Sequence, residues 1–178
     1  MRSLLILTLL AASQLVPLSA QAAKPTEKPH ARAAGPRAIG RFEDWIAAVN
    51  QESGSQLCYA FTRASSSTPT LRGRGDVVLT VTQRPTRRDA VAISAGFAYG
   101  ANADVRVTAE GGSPLDFYTA QRSAFARDGH AAVAAFQRAG KVTAKSPGPR
   151  NTLVTDTFSL RGFSAAYAAI DKACPPGK

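Results

Sequence analysis

The stretch "TDTFSLRGFSAAYAAIDKAC", residues 155–174, changes its period half-way along. Its first residues are β-branched and aromatic and read as the end of a strand that opens at "NTLV". From Phe163 onward the apolar positions Phe163, Tyr167, Ile170 and Cys174 recur at helical spacing and share one face of a helix. Gly162 stands between the two as a hinge. A strand that turns straight into an amphipathic helix implies a helix packed on a sheet. It also places a cysteine at the helix's end, on the packed face.

Upstream, most segments carry strand signals. "QLCYAFTR" alternates, with Leu57, Tyr59 and Phe61 on one face and Cys58, Ala60 and Thr62 on the other. "DVVLTVTQ" puts Val77, Leu79 and Val81 on one side and stops at Pro85, which has no N–H for a ladder. "VAISAGFAY" aligns Val91, Ile93, Ala95 and Phe97, and "DVRVTAEGGSPLDFYT" predicts a hairpin around Gly111-Gly112. "RDGHAAVAAFQRAG" predicts a short helix capped by Asp128 and closed by Gly140. "KVTAK" and the strand before Gly162 are separated by the turn residues "SPGPR". The expected fold is mainly β: an antiparallel β-sandwich or barrel-like domain with a short internal helix and a C-terminal helix packed on the sheet. Trp45, Tyr59, Phe158 and Phe163 are the expected core aromatics.

The N-terminus, one arginine followed by an apolar run from Leu4 to Leu10 and then Ala20-Gln21-Ala22, has the layout of a secretory signal peptide. Residues 1–22 are expected to be removed on export. Residues 23–40, with three prolines and no aromatic, read as a disordered basic leader. The folded domain is expected from Arg41 to the end of the chain. The two cysteines, Cys58 and Cys174, fit one disulfide in an oxidising compartment. A thiol nucleophile or metal ligand lacks support, because the histidines are His30 and His130 and no Cys-x-x-Cys occurs. Neither a metal nor a cofactor is expected.

Little catalytic chemistry is visible. His130 is the domain's candidate for a triad and sits in the first turn of an alanine-rich helix, while Ser164 lacks the elbow of a hydrolase nucleophile. Arg74-Gly75-Asp76 matches a cell-adhesion tripeptide, but it runs at once into strand-forming residues and reads as a glycine-rich turn leading into that strand. Charge is the remaining signal: the formal net charge is +10 at pH 7. Arg84, Arg87 and Arg88 around Pro85 form the densest basic cluster and are the candidate site for a phosphate or carboxylate. Export and the lack of a reading motif argue against nucleic acid.

The landmarks Phe42-x-Asp44-Trp45, Cys58-Tyr59, "RG" at 74–75 ahead of "VLTVTQRP", "AGFAYG" at 95–100 and the closing "TDTFSLRGFSAAYAAIDKAC" together resemble the invasion-associated locus B family of exported bacterial proteins. Two residues depart from the pattern: Gln83 stands where many members of the short branch carry histidine, and Phe125 where tryptophan is expected. The resemblance implies an exported, β-rich envelope protein, periplasmic or outer-membrane associated. With the basic surface and the lack of a catalytic motif, the expectation is a non-enzymatic protein with an anionic envelope component or another envelope protein as partner. Peripheral membrane contact is compatible with that expectation. A secreted virulence or adhesion factor acting on host cells is the alternative, with a hydrolase of unrecognised type as the third reading.

Overall fold

The computed structural model describes residues 35–177. The expected signal peptide, and the leader up to residue 34, lie outside the described residues. The first strand, β1 (Arg37–Phe42), begins inside the expected leader and ahead of the expected start at Arg41. It pairs with β2 (Trp45–Glu52), across a register shift between Ala38 and Gly40. Pairing, rather than its own composition, makes this segment a strand.

β3 (Ser55–Arg63) pairs with β2 on one side and with β5 (Val78–Gln83) on the other. Then come β6 (Ala90–Ser94), β7 (Val105–Ala109), β8 (Pro114–Ala120), β9 (Ser123–Ala126), β10 (Lys141–Pro147) and β11 (Leu153–Ser159). All pairings are antiparallel. The eleven strands form one sheet in the order β1-β2-β3-β5-β6-β9-β8-β7-β10-β11-β4. Its last member, β4 (Ser66–Thr68), follows β3 after a two-residue bend and pairs with β11. The far end of the sheet thus curls back to the exit of β3, where Ser65 N–H donates to Thr157 O at 2.8 Å. This is the expected mainly β, antiparallel architecture, a curled open sheet of the sandwich-like kind with a short internal helix and a C-terminal helix packed on it.

Alternate residues of the central strands face inward. In β5 these are Leu79, Val81 and Gln83; in β6, Val91 and Ile93; in β11, Val154, Asp156 and Phe158. Two helices complete it. α1 (Gly129–Phe136) is capped by Asp128, whose carboxylate accepts from Ala131 N–H at 2.9 Å, and buries Ala132, Val133 and Phe136. It ends at a right-handed Gln137 instead of the expected Gly140, since the chain needs no left-handed residue there. α2 (Phe163–Ala173) buries Phe163, Ala166 and Ile170 and packs on β1, β2, β3 and β5. Gly162 stands at φ 84°, where a Cβ would lie 2.1 Å from Phe42 O, so only glycine fits the hinge.

The aromatic centre of the core is Phe163, with ring centroids 4.8 Å from Trp45, 5.7 Å from Phe136 and 5.9 Å from Tyr167. Trp45 is wholly buried and donates its Nε1–H to Ser159 O at 3.0 Å. Phe158 is buried as expected, but Tyr59 is not a core residue. The inward face of β3 is the small one, Cys58, Ala60 and Thr62, and Tyr59 stacks on Phe61 outside, 6.0 Å between centroids. Space next to α2 decides this: a tyrosine inward would occupy the volume that the helix and the cysteine pair fill. Cys58 and Cys174 form the disulfide, with Cα atoms 5.8 Å apart.

Candidate functional site

Everything distinctive about the site starts from the turn after β5. Gln83 is the last inward residue of that strand and is completely buried. Arg84 and Arg87 close a tight turn, Arg84 N–H donating to Arg87 O at 2.9 Å, and Pro85 sits inside it. Asp89 then adopts φ 54°, which turns its carboxylate back toward Gln83. Gln83 Nε2–H donates to Asp89 Oδ1 at 2.7 Å, and its Oε1 accepts from Asp89 N–H at 2.8 Å. Tyr167 of α2 adds its hydroxyl to the same Oδ1 at 2.7 Å, and His130 Nδ1 lies 3.2 Å from Oδ2. Gly129 lets α1 start against this turn, since a Cβ there would meet Asp89 O at 1.7 Å.

One carboxylate therefore ties the β5–β6 turn to both helices. Burial pushes the Asp89 carboxyl up, but the hydrogen bonds from Tyr167, Gln83 and His130 outweigh it and hold the group below its ordinary 3.8. Burial, and then donation to Asp89, push the Tyr167 hydroxyl up to about 12. The His130 side chain remains 88% exposed, so this acid and histidine do not form an enclosed pocket.

The basic cluster is less free than its sequence suggests. Arg84 pairs with Glu52 at 2.9 Å, and Arg88 pairs with Asp171 and also donates to Cys174 O. Both carboxylates come from elements remote in sequence. Among the described residues, Arg87 has no carboxylate partner. Facing it across a groove of 570 Å³ is Arg127, likewise without a carboxylate partner among the described residues. Arg127 lies over the Tyr118 ring, 5.4 Å from its centroid, and Tyr118 stacks on Phe125 at 5.5 Å. Neither aromatic was singled out from sequence as part of a site, because β8 and β9 reach the turn only through β6.

The adhesion tripeptide resolves differently. Arg74 is buried: its guanidinium makes a two-pronged pair with Asp156 at 2.8 and 2.7 Å, donates to Ala95 O at 2.7 Å and lies over the Phe97 ring. Side-chain exposure is 7% for Arg74 and 3% for Asp156, so this arginine offers nothing to a receptor. Asp76 is exposed and paired with Arg63 at 3.2 Å. The segment is a loop held down by an ion pair, and β5 begins only at Val78. Among the described residues, no group of three His, Cys, Asp or Glu side chains is disposed to hold a metal.

The family model described as "Invasion associated locus B (IalB) protein" matches residues 45–171, most of the chain. The chain belongs to the invasion associated locus B family. The crystal structure of invasion associated protein B from Bartonella henselae is similar in fold, with a TM-score of 0.55 at 15% identity over 75% of this chain and 97% of that one. No curated protein matches. Both departures from the family pattern fall at the site: Gln83 is the buried partner of Asp89, and Phe125 is an outward aromatic of the groove.

Proposed function

We propose that this family member is an exported, non-enzymatic envelope protein that binds an anionic envelope component in the groove between the Arg84–Arg88 turn and the β8–β9 hairpin. One observation carries the reading: Arg87 and Arg127 line opposite sides of a groove, both without a carboxylate partner among the described residues. Two arginines lining one groove attract a phosphate or carboxylate, and the fork geometry of a guanidinium suits such oxygens. The Asp89 network supports a structural role over catalysis. Its hydroxyl, Tyr167, donates to the carboxylate and keeps its proton up to about pH 12, so it is not disposed to attack a substrate.

A periplasmic location fits the signal-like N-terminus and the disulfide. Adhesion through the tripeptide is the weaker reading: Asp76 is exposed, but Arg74 is committed to Asp156. The test is co-sedimentation of the purified chain with anionic vesicles of phosphatidylglycerol and with lipopolysaccharide, across a salt series. Salt-sensitive binding that Arg87→Gln with Arg127→Gln removes is the expected result. Binding equal in the double variant, or no binding to any anionic surface at low salt, overturns the proposal.

A further inference from the structure

The groove has a floor as well as charged walls, and the floor has a shape. Along β6 the inward residues are Val91 and Ile93, while the outward ones, Ala90 and Ala92, are as small as a strand allows short of glycine. Ala92 is register partner to Thr80 on one side and Phe125 on the other, and Phe125 is partner to Tyr118. Small residues between larger ones make a valley in the outer face of the sheet. Its far slope is the stacked pair Tyr118 and Phe125, with interplanar angle 28°. Tyr118 is 38% exposed, so a large apolar ring is presented to solvent at the groove.

We propose that this valley binds a phosphorylated sugar ring, free or as a headgroup, with the ring's C–H face on Tyr118 and Phe125 and the phosphate between Arg87 and Arg127. The inference rests on the anion-binding reading and names its ligand class. A phosphate alone needs the arginines but no aromatic slope. A saturated ring of hydroxyls needs a flat apolar face under it and donors around it, and Arg127, Arg87 and the Thr82 hydroxyl ring the valley. Adenine fits less well, because its exocyclic amino group needs an acceptor at the ring's edge. The carboxylate of the groove, Asp89, already receives Gln83, Tyr167 and the His130 contact. A tenfold preference over phosphate, the size of effect the titration reads, corresponds to about 1.4 kcal/mol.

The experiment is an amide chemical-shift titration of the chain with N-acetylglucosamine 1-phosphate, inorganic phosphate and adenosine 5′-monophosphate. The expected result is that signals at residues 84–92 and 116–127 shift, with the phosphosugar binding about tenfold tighter than phosphate. Tyr118→Ala, an outward and half-exposed position, is expected to bring the phosphosugar-to-phosphate affinity ratio down to about one; Arg87→Gln with Arg127→Gln weakens both. The amide spectrum itself reports whether each variant is folded. Equal affinities for phosphosugar and phosphate, an unchanged ratio in Tyr118→Ala, or tighter binding of the nucleotide each overturn the sugar assignment while the anion site stands. No shift at these residues with any of the three overturns both. Vesicles with and without lipid A distinguish the source: stronger binding to lipid A marks a headgroup, and equal binding marks a soluble phosphosugar, both consistent with the valley.

Discussion

Arg74 and Asp76 stand two residues apart in a tripeptide and have opposite physical circumstances. The guanidinium of Arg74 is removed from water and every strong contact it makes is satisfied, while Ser67 Oγ–H supplies a further bond to Asp156 at 2.7 Å. Removing one partner of such a pair strands the other charge in a low-dielectric site. We expect Arg74→Ala to cost about 3–5 kcal/mol. Asp76 faces water and its bridge to Arg63 is solvent-screened, so Asp76→Ala is expected to change stability by less than about 0.5 kcal/mol. Urea unfolding of the two variants separates them. Equal, small effects would mean that Arg74 is not buried in solution. The sequence disclosed the strand that follows this loop but not the ion pair, because Asp156 lies on β11 and meets Arg74 only after the sheet curls.

At the scale of elements, α2 is held at its start, its middle and its end. Gly162 sets its start against Phe42, Tyr167 in its middle reaches Asp89, and Cys174 at its end is bonded to β3. The middle contact makes stability depend on pH at both extremes. The hydroxyl of Tyr167 is raised from 10.0 to about 12, so its contribution is complete below pH 10 and lost as pH climbs through about 12. The Asp89 carboxyl is lowered from 3.8, so its contribution is complete above that value and lost as pH falls through its lower folded value. Tyr167→Phe is expected to flatten the alkaline loss and, by removing a donor from Asp89, to move the acid loss toward higher pH. Denaturant midpoints measured across pH check both limbs, and an unchanged alkaline limb would refute the role of the hydroxyl. The spacing of Phe163, Tyr167 and Ile170 announced the helix and its packed face. Nothing local announced β9, whose Ser123-Ala124-Phe125-Ala126 is a strand because β6 and β8 flank it.

For the whole molecule, the Cys58–Cys174 bond spans 116 residues and joins an early strand to the last helix. Closing so long a loop removes much of the freedom of the unfolded chain. Replacing both cysteines by serine is expected to lose about 3–5 kcal/mol, read as a lower denaturant midpoint that reductant does not lower further. A double variant as stable as the parent would show that docking of α2 alone holds the ends. Around this closure the sheet bends until β4 meets β11, which encloses the core without a second sheet.

Period and composition by themselves determined most of the strands, the two helices, the face that the C-terminal helix buries, the cysteine pair and the basic character of the turn at 84–88. Those features depend on neighbours along the chain, where alternation and helical spacing act directly. Only the tertiary structure decided which face of β3 is inward, which arginines have carboxylate partners and that Tyr118 and Phe125 stand across from Arg87. Glu52, Asp171, Tyr118 and Arg127 are distant from the turn in sequence and arrive beside it through strand order and helix docking. Local patterns carry no information about long-range pairing, so the groove exists as a site only once β5, β6, β9 and β8 have paired.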